Sequence, residues 1–457
     1  MTTHGQALTS HFHGIALRLG TAGPALTWWS RMLPMIVIQA YLALSVVAFA
    51  FGPWDYPPVN SALLFSFVGV AHVCLLLGYL SAAFKVPACY GWRLQPARLA
   101  LVSVVITLLL AFPTSYLRTG HLFPDVLNGI SNPGQAYNRA YTFRLEASPV
   151  AEYFRIAGGP FIGLCLPLLV AYWKSLGYTL RILGVATVGL NLSLYVATGT
   201  NKALADAFLI IPAILLVRHF AGDFKMKWIN KAIAAVAVLV SGFLLFQFFS
   251  SGMGSRGGSS VAHGYIPSVG ARVNYSHPVL NLDDEGLRTG ILGVALYTSG
   301  GYYGLAMALE EPFVPMFGVG NSRFLTRQAA RLLDDASILY RSYPDRVQQQ
   351  TGWNANGLWA TIYPWIASDV SFPGVFVIVF LVGRIFAQSW LDSLTLRNPF
   401  AIAMYAQLVI MLFYFNANNQ CLQDGEGVST FLVILILWRY SRTSGYPEIA
   451  AITSGAA

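Results

Sequence analysis

Long apolar stretches recur along almost the whole chain, and they limit the solvent in which it can fold. Ten of them stand out, at about 33–51, 61–84, 98–116, 153–173, 180–198, 203–218, 232–250, 357–387, 400–416 and 427–438. A bilayer core about 30 Å thick requires roughly 20 apolar residues from each spanning helix. The sequence therefore predicts an all-α, polytopic integral membrane helix bundle with about ten transmembrane helices.

Charge is scarce and unevenly distributed. Only 10% of the residues are charged, against about 25% in soluble domains, which excludes a soluble enzyme. The net charge of +9 would suit nucleic acid, but in an apolar chain it is better explained by basic cytoplasmic loops. Both termini and every second connection are basic, so we expect cytoplasmic N- and C-termini and no nucleic-acid partner.

The apolar stretches divide the chain into three parts. Residues 1–250 form an N-terminal bundle of about seven helices, and 357–457 supply the C-terminal spans. Between them lies the long connection, 251–356, which is far longer than joining two helices requires. It is expected to contain an interfacial or re-entrant helix at 289–309 and an amphipathic helix at 322–343. A short connection, 117–152, is expected on the same, extracytoplasmic side.

The two connections contain arginine but no lysine. Arginine binds phosphate and carboxylate through a planar, bidentate fork, so these residues are candidates for recognising an anionic substrate. The alternative is that they pair with the eight acidic residues of the long connection. The candidates are Arg118, Arg139, Arg144, Arg272, Arg288 and Arg323.

Three polar groups interrupt the apolar pattern. In the first, Thr198–Lys202, a glycine-containing turn places Asn201 and Lys202 at a helix N-terminus, where backbone N–H groups favour anions. The alternative is a lysine that reaches out of the membrane, paired locally with Asp206.

The second and third groups flank the last spans. Asn354, Asn356, Tyr363 and Asp369 combine polar and aromatic side chains that suit a sugar, although Asp369 could have a structural role in a break between 357–366 and 372–387. In the third group, Asp424 and Glu426 could supply a general base. The alternative is that Asp424 caps the last helix, with Glu426 in its first turn.

Several activities have no motif in the chain. There is no phosphate-binding Gly-rich loop, no HExxH and no well-placed GxSxG, so ATP-driven, zinc-peptidase and esterase functions are not indicated. The four cysteines show no CxxC spacing, and we expect neither a metal nor another cofactor.

The arginine-rich connections, the Gly-Thr-Asn-Lys turn ending at Lys202, and the N-x-N-G passage from Asn354 through Asp369 together resemble the Wzy-type polysaccharide polymerases, which are related in plan to O-antigen ligases. The chain departs from the family where Lys202 replaces the usual arginine and where Val370, not the Phe of a D-F-G, follows Asp369.

The resemblance implies an enzyme of the bacterial inner membrane with its active site on the periplasmic face. Such a glycosyltransferase joins undecaprenyl-pyrophosphate-linked repeat units into a surface polysaccharide such as O-antigen, common antigen, capsule or exopolysaccharide. Its partners would be the lipid-linked donor and acceptor, membrane lipid, a chain-length regulator and a flippase.

The resemblance also suggests roles for the candidate residues. Asp369, Glu426, Asp424 and Arg288 are expected in catalysis. The expected substrate-binding residues are Lys202, Asn201, Arg118, Arg139, Arg144, Arg272, Arg323, Asn354, Asn356 and Tyr363. Two other functions stay open at this point: an O-antigen ligase-like transfer to a different acceptor, and a polytopic transporter or flippase.

Overall fold

The computed structural model describes residues 26–88, 95–146, 150–223, 228–255, 263–355, 357–395 and 398–443. The α-helices of this described part are α1 (Trp28–Phe51), α2 (Ser61–Ala83), α3 (Pro96–Thr119), α4 (Val126–Ser131), α5 (Pro133–Glu146), α6 (Val150–Ala171), α7 (Tyr178–Ala197), α8 (Lys202–Phe220), α9 (Trp228–Ser255), α10 (Glu285–Ala308), α11 (Arg323–Leu332), α12 (Tyr343–Thr351), α13 (Tyr363–Ser393), α14 (Pro399–Phe413) and α15 (Gly425–Thr443). The fold class expected from the sequence, an all-α polytopic membrane bundle, is confirmed.

Eight of the described helices are long and apolar enough to cross a membrane: α1, α2, α3, α6, α7, α8, α9 and α13. The stretches expected as the ninth and tenth spans also form helices. Of these, α14 is apolar but has only 15 residues, and α15 has 19 residues with charged side chains near both ends. Helices predominate because, in lipid, every backbone N–H and C=O group needs a partner within the protein.

Helices α2 and α13 pack along each other through glycines. A Cβ atom at Gly78 would lie 1.9 Å from the carbonyl oxygen of Phe380, and one at Gly383 would lie 2.1 Å from that of Leu75. Helix α13 is interrupted at Ser371, whose φ of 61° and ψ of 167° are not helical, just before Pro373. This is the break considered from the sequence beside Asp369.

The long connection contains one expected element and departs from another. A helix is present at 289–309 as expected, since these residues lie almost wholly in α10, and Gly301 and Gly304 let other backbone segments pack directly against it. The stretch expected as one amphipathic helix ends at Leu332, and Asp334 then adopts a φ of 50°. Pro344, which directly follows the stretch expected as that helix, lies in the first turn of α12, where a backbone N–H would have no partner within the helix.

Three short strands, β1 (Trp54–Asp55), β2 (Tyr265–Ile266) and β3 (Ala271–Val273), are present besides the α-helices and three short 3-10 helices at Trp173–Ser175, Pro278–Leu280 and Ala336–Tyr340. The strands form an antiparallel sheet in the order β1–β3–β2, in which Asp55 lies opposite Arg272. This sheet connects the start of the long connection to the segment between α1 and α2.

Candidate functional site

A cavity of about 380 Å³ lies between α3, α6, α7, α8 and the segment that leads into α15. It brings the first and third polar groups of the sequence together. Its polar lining includes Arg118, Glu152, Arg155, Tyr195, Thr198, Thr200, Lys202, Asp206, Gln407, Gln420, Asp424 and Glu426. Helix α5 of the short connection also contributes to the lining, through Tyr137, Ala140 and Tyr141.

The lining changes from charged to apolar along the helices. On α8, Lys202, Asp206 and Ile210 all line the cavity, and their spacing of four residues places them on one face over roughly 12 Å. On α7, the lining changes in the same way, from Tyr195 near the end of the helix to the apolar Val188. The cavity therefore has a charged end at the helix termini and an apolar part between the helices.

Arg155 and Glu426 form a bidentate ion pair in the cavity wall. The Arg155 Nε lies 2.6 Å from Glu426 Oε2, and Nη2 lies 2.8 Å from Oε1. Arg155 is 3% exposed, and its Nη1 also donates to Thr114 Oγ1 at 3.3 Å. The pair joins α6 to α15, whose close approach depends on Gly159: a Cβ there would lie 2.9 Å from the Glu426 carbonyl oxygen.

Lys202 begins α8 and pairs with Asp206 one turn later, at 2.8 Å between Nζ and Oδ2. The local ion pair considered from the sequence is therefore present. The other carboxylate oxygen, Asp206 Oδ1, is buried and has no hydrogen-bond partner among the described residues. The preceding turn requires Gly199, whose φ is 60° and whose Cβ would lie 2.0 Å from the Pro133 carbonyl oxygen.

Asp424 lies at the N-terminus of α15. Its Oδ1 accepts a hydrogen bond from the Gly427 N–H at 2.6 Å, so the helix-capping alternative is also present. The carboxylate is close enough to Lys202 and Arg155 for its charge to act on both. Nearby, burial raises the pKa of the Cys421 thiol to about 12.

The charges at this end of the cavity are nearly balanced. Three cations face four carboxylates: Arg118, Arg155 and Lys202, with Glu152, Asp206, Asp424 and Glu426. The N-termini of α6, α8 and α15 also lie here, and each contributes roughly half a positive charge. The site thus combines cations for an anionic group with carboxylates that can accept a proton.

Asp369, expected in catalysis, does not line the cavity. Its Oδ1 accepts from the backbone N–H groups of Gly318 and Gly320 at 2.9 and 2.8 Å, and its Oδ2 accepts from that of Asn321 at 3.0 Å. The Asn321 carbonyl accepts in turn from Asn419 Nδ2 at 2.7 Å. Asp369 therefore holds a loop that contacts the segment leading to Asp424.

The other expected residues are spread over the molecule. Arg323 pairs with Asp345 at 2.9 Å, Arg272 lies in β3, and Tyr363 is buried beside Phe67. Arg288 lies on α10, Asn201 precedes α8, and Arg139 and Asn354 are exposed. None of these lines the cavity. The side chain of Arg144 and the whole of Asn356 lie outside the described residues.

Arg155, Glu152 and Asp206 line the cavity but were not among the expected site residues. Each is a charged residue inside or beside an apolar stretch, and such residues are functional candidates by default in a membrane helix. Among the described residues no group of three or more His, Cys, Asp or Glu side chains could hold a metal ion. Comparison with protein-family models, with curated proteins and with solved structures gave no match to this chain.

Proposed function

We propose that the chain is a polysaccharide polymerase of the Wzy type, a glycosyltransferase that uses a polyprenyl-pyrophosphate-linked oligosaccharide as donor. The observation that carries the proposal is the cavity, whose lining changes from charged to apolar along α7 and α8. A lipid-linked pyrophosphate has the same polarity, with an anionic group at one end of a hydrocarbon chain.

In this proposal the pyrophosphate lies at the charged end of the cavity. Lys202 and Arg118 contact it, with Arg155 behind them, and the N-termini of α6, α8 and α15 add positive potential. The first isoprene units follow the apolar lining toward Val188 and Ile210. The short connection covers this end through Tyr137.

The reaction needs one bond formed and one broken. A hydroxyl oxygen of the acceptor attacks the anomeric carbon of the donor sugar, and the bond from that carbon to the pyrophosphate oxygen breaks. The electron pair leaves with the pyrophosphate, which Lys202 and Arg118 stabilise electrostatically. Asp424 takes the hydroxyl proton through its second carboxylate oxygen, because Oδ1 is engaged in capping α15. The reaction draws its energy from the activated donor and uses no cofactor.

Glu426 and Asp369 have positioning roles in this proposal. Both oxygens of Glu426 are bound by Arg155, so Glu426 holds the guanidinium in place. Asp369 supports the loop that contacts the Asp424 segment. The earlier roles of Arg288, Arg272 and Arg323 are not part of the proposal, since these residues do not line the cavity.

The cellular setting is also part of the proposal. The charged end of the cavity faces the periplasm of the bacterial inner membrane, where lipid-linked donors and acceptors are available. A flippase would deliver these substrates, and a chain-length regulator would act on the product.

A second candidate function, transport, is favoured by one observation. Helix α13 is broken at Ser371, and the segment before α13 is not helical, with left-handed φ values of 66° at Trp359 and 59° at Thr361. Broken helices and non-helical backbone at membrane depth are typical of secondary transporters. The cavity, however, lies on α7 and α8 rather than at this break.

Deletion of the gene in its own host tests the proposal directly. We expect the ladder of extracted surface polysaccharide to collapse to single repeat units, and the wild-type gene to restore it. The Lys202→Gln variant should fail to restore it, whereas Arg98→Gln, at the opposite end of α3, should succeed. Full-length polymer that is not attached to its acceptor would indicate a ligase, and an unchanged ladder would favour the transporter.

A further inference from the structure

A second group of charged side chains lies at the end of the bundle opposite the cavity. Helix α15 begins beside the cavity with Glu426 and reaches Arg439 thirteen residues later, a rise of roughly 20 Å. There its side chains contact the last third of α13. The arginine cluster consists of Arg384 on α13 and of Arg439 and Arg442 on α15.

The guanidinium groups of the arginine cluster converge. Nη1 of Arg439 lies 3.1 Å from Gln388 Oε1, and Nη1 of Arg442 lies 3.5 Å from the same oxygen. Arg384 is one helical turn before Gln388, and its charge acts on Arg439. One amide oxygen therefore already sits between two guanidinium groups.

Among the described residues a single carboxylate lies within the arginine cluster, and both of its oxygens are engaged. Asp392 is 1% exposed, and it pairs with Arg442 at 2.7 Å. It also accepts from Trp438 Nε1 at 3.0 Å and from the Ala88 N–H at 2.9 Å. In the described part of the chain, neither Arg384 nor Arg439 pairs with a carboxylate. Two of the three guanidinium groups therefore have no carboxylate in direct contact within the described residues.

Exposed aromatic side chains mark the membrane interface at this end. Trp28 and Trp29, at the start of α1, are 52% and 64% exposed, and Tyr440 beside Arg439 is 58% exposed. The start of α1 lies against the last third of α13, where Trp390 Nε1 donates to the Ser30 carbonyl at 2.9 Å. Trp and Tyr prefer the level of the lipid headgroups, so the arginine cluster lies at the depth of lipid phosphates.

We propose that the arginine cluster binds the phosphate of an anionic phospholipid in the leaflet opposite the cavity. Arginine forks bind phosphate oxygens in pairs, and basic pockets between membrane helices recognise anionic headgroups. Arg384 and Arg439 contact the phosphate, while Arg442 is held beside them by Asp392. A bound lipid would join α13 to α15 and would not enter the cavity.

Lipid binding by the purified full chain tests this site without knowledge of any glycan substrate. The probes are dioctanoyl phosphatidylglycerol, dioctanoyl phosphatidylcholine and inorganic phosphate, and binding is measured by native mass spectrometry and by titration. We expect wild-type protein to bind phosphatidylglycerol more tightly than phosphatidylcholine. Each of R384Q and R439Q should weaken phosphatidylglycerol binding about fivefold, and the double variant correspondingly more. R98Q, an exposed arginine at the start of α3, should leave it unchanged.

Each outcome decides for or against the site. Equal affinity for the two lipids, or unchanged phosphatidylglycerol binding in R384Q and R439Q, would overturn the proposal. Inorganic phosphate that binds as tightly as phosphatidylglycerol would also overturn it, since the ligand would then be a free anion. If the double variant does not fold, the single variants suffice, provided that each elutes as the wild type does.

Discussion

The arginines of the long connection and the cations of the cavity are in different surroundings. In the long connection, Arg323 pairs with Asp345 and Arg341 pairs with Asp335, both within the same stretch of chain. In the cavity, Arg155 pairs with Glu426 across 271 residues of sequence. The pairs of the long connection stabilise one local segment, whereas the Arg155–Glu426 pair joins two helices beside the cavity.

The difference shows that several arginines of the long connection are engaged by carboxylates of the same connection. The arginine-rich long connection was expected to recognise an anion, and the alternative was internal pairing with its own carboxylates. The structure describes such pairing for Arg323, Arg341 and Arg346. At the cavity, three helix N-termini add positive potential to that of the cations.

The largest expected contrast is in the rates at which two thiols react, that of Cys421 beside the cavity and that of a cysteine introduced at Leu332 in the long connection. The pKa of Cys421 is raised to about 12 by burial, so its reactive thiolate is scarcer at pH 8 than that of an exposed thiol. In a chain without the other native cysteines, we expect maleimide to modify Cys421 about a thousandfold more slowly than a cysteine at the exposed position of Leu332. The Cys421 rate should still rise tenfold per pH unit up to pH 10. Equal rates at pH 8 would mean that the cavity wall is open.

The buried ion pair should dominate stability. Arg155→Met leaves the Glu426 carboxylate in the cavity wall without its partner, and we expect unfolding in mild detergent to become easier by about 3 kcal/mol. The double variant Arg155→Met/Glu426→Gln should recover at least half of this loss, because no unpaired charge is left. If the double variant is as unstable as the single one, the two residues are not coupled.

Asp369 should contribute less to the free energy of unfolding than the Arg155–Glu426 pair does. Asp369→Asn replaces one of the two acceptor oxygens by an amide that faces a backbone donor, and we expect a loss of about 2 kcal/mol in the free energy of unfolding. Polymer formation should also decrease, since the loop at Asn321 supports the Asp424 segment. Asp283→Asn, at an exposed position of the long connection, is the control. Unchanged stability of Asp369→Asn would remove its positioning role.

The smallest effect is expected for an exposed pair of the long connection. The side chains of Arg341 and Asp335 are 45% and 40% exposed, so Arg341→Gln should not measurably shift the unfolding midpoint. Hydrogen bonds from Ser337, and to a lesser degree Arg341, lower the pKa of Asp335. Any stabilisation from Asp335 is therefore present at neutral pH and is lost only as the pH falls below about 4. A large loss of stability in Arg341→Gln at pH 7 would contradict the distinction between the two regions.

Much of the helical architecture could be predicted from the sequence. The apolar stretches had to become helices because lipid offers no partner to backbone groups. The sequence also predicted a helix at 289–309, but not its partners, because Gly301 and Gly304 serve as contact points for neighbouring backbone. The contacts of these glycines come from distant segments and leave no local pattern.

The candidate site was predictable only in part. Lys202, Asp424, Glu426 and Arg118 were named from the sequence, but their meeting depends on how α6, α8 and α15 pack. The sequence around Asp369 does not distinguish a carboxylate that binds a sugar from one that accepts hydrogen bonds from a loop. The partners of Asp369 are backbone N–H groups, which have no sequence signature.

A comparison of matched variants tests the central claim most directly. Lys202→Gln and Asp424→Asn alter the cavity, whereas Arg272→Gln and Arg288→Gln alter the long connection and its helix. In the deletion host, with equal amounts of folded protein, we expect the cavity variants to form about a hundredfold less polymer than wild type. The other two should stay within about twofold of it, since neither residue lines the cavity. Full polymerisation by the cavity variants, with loss in Arg272→Gln or Arg288→Gln, would contradict the account.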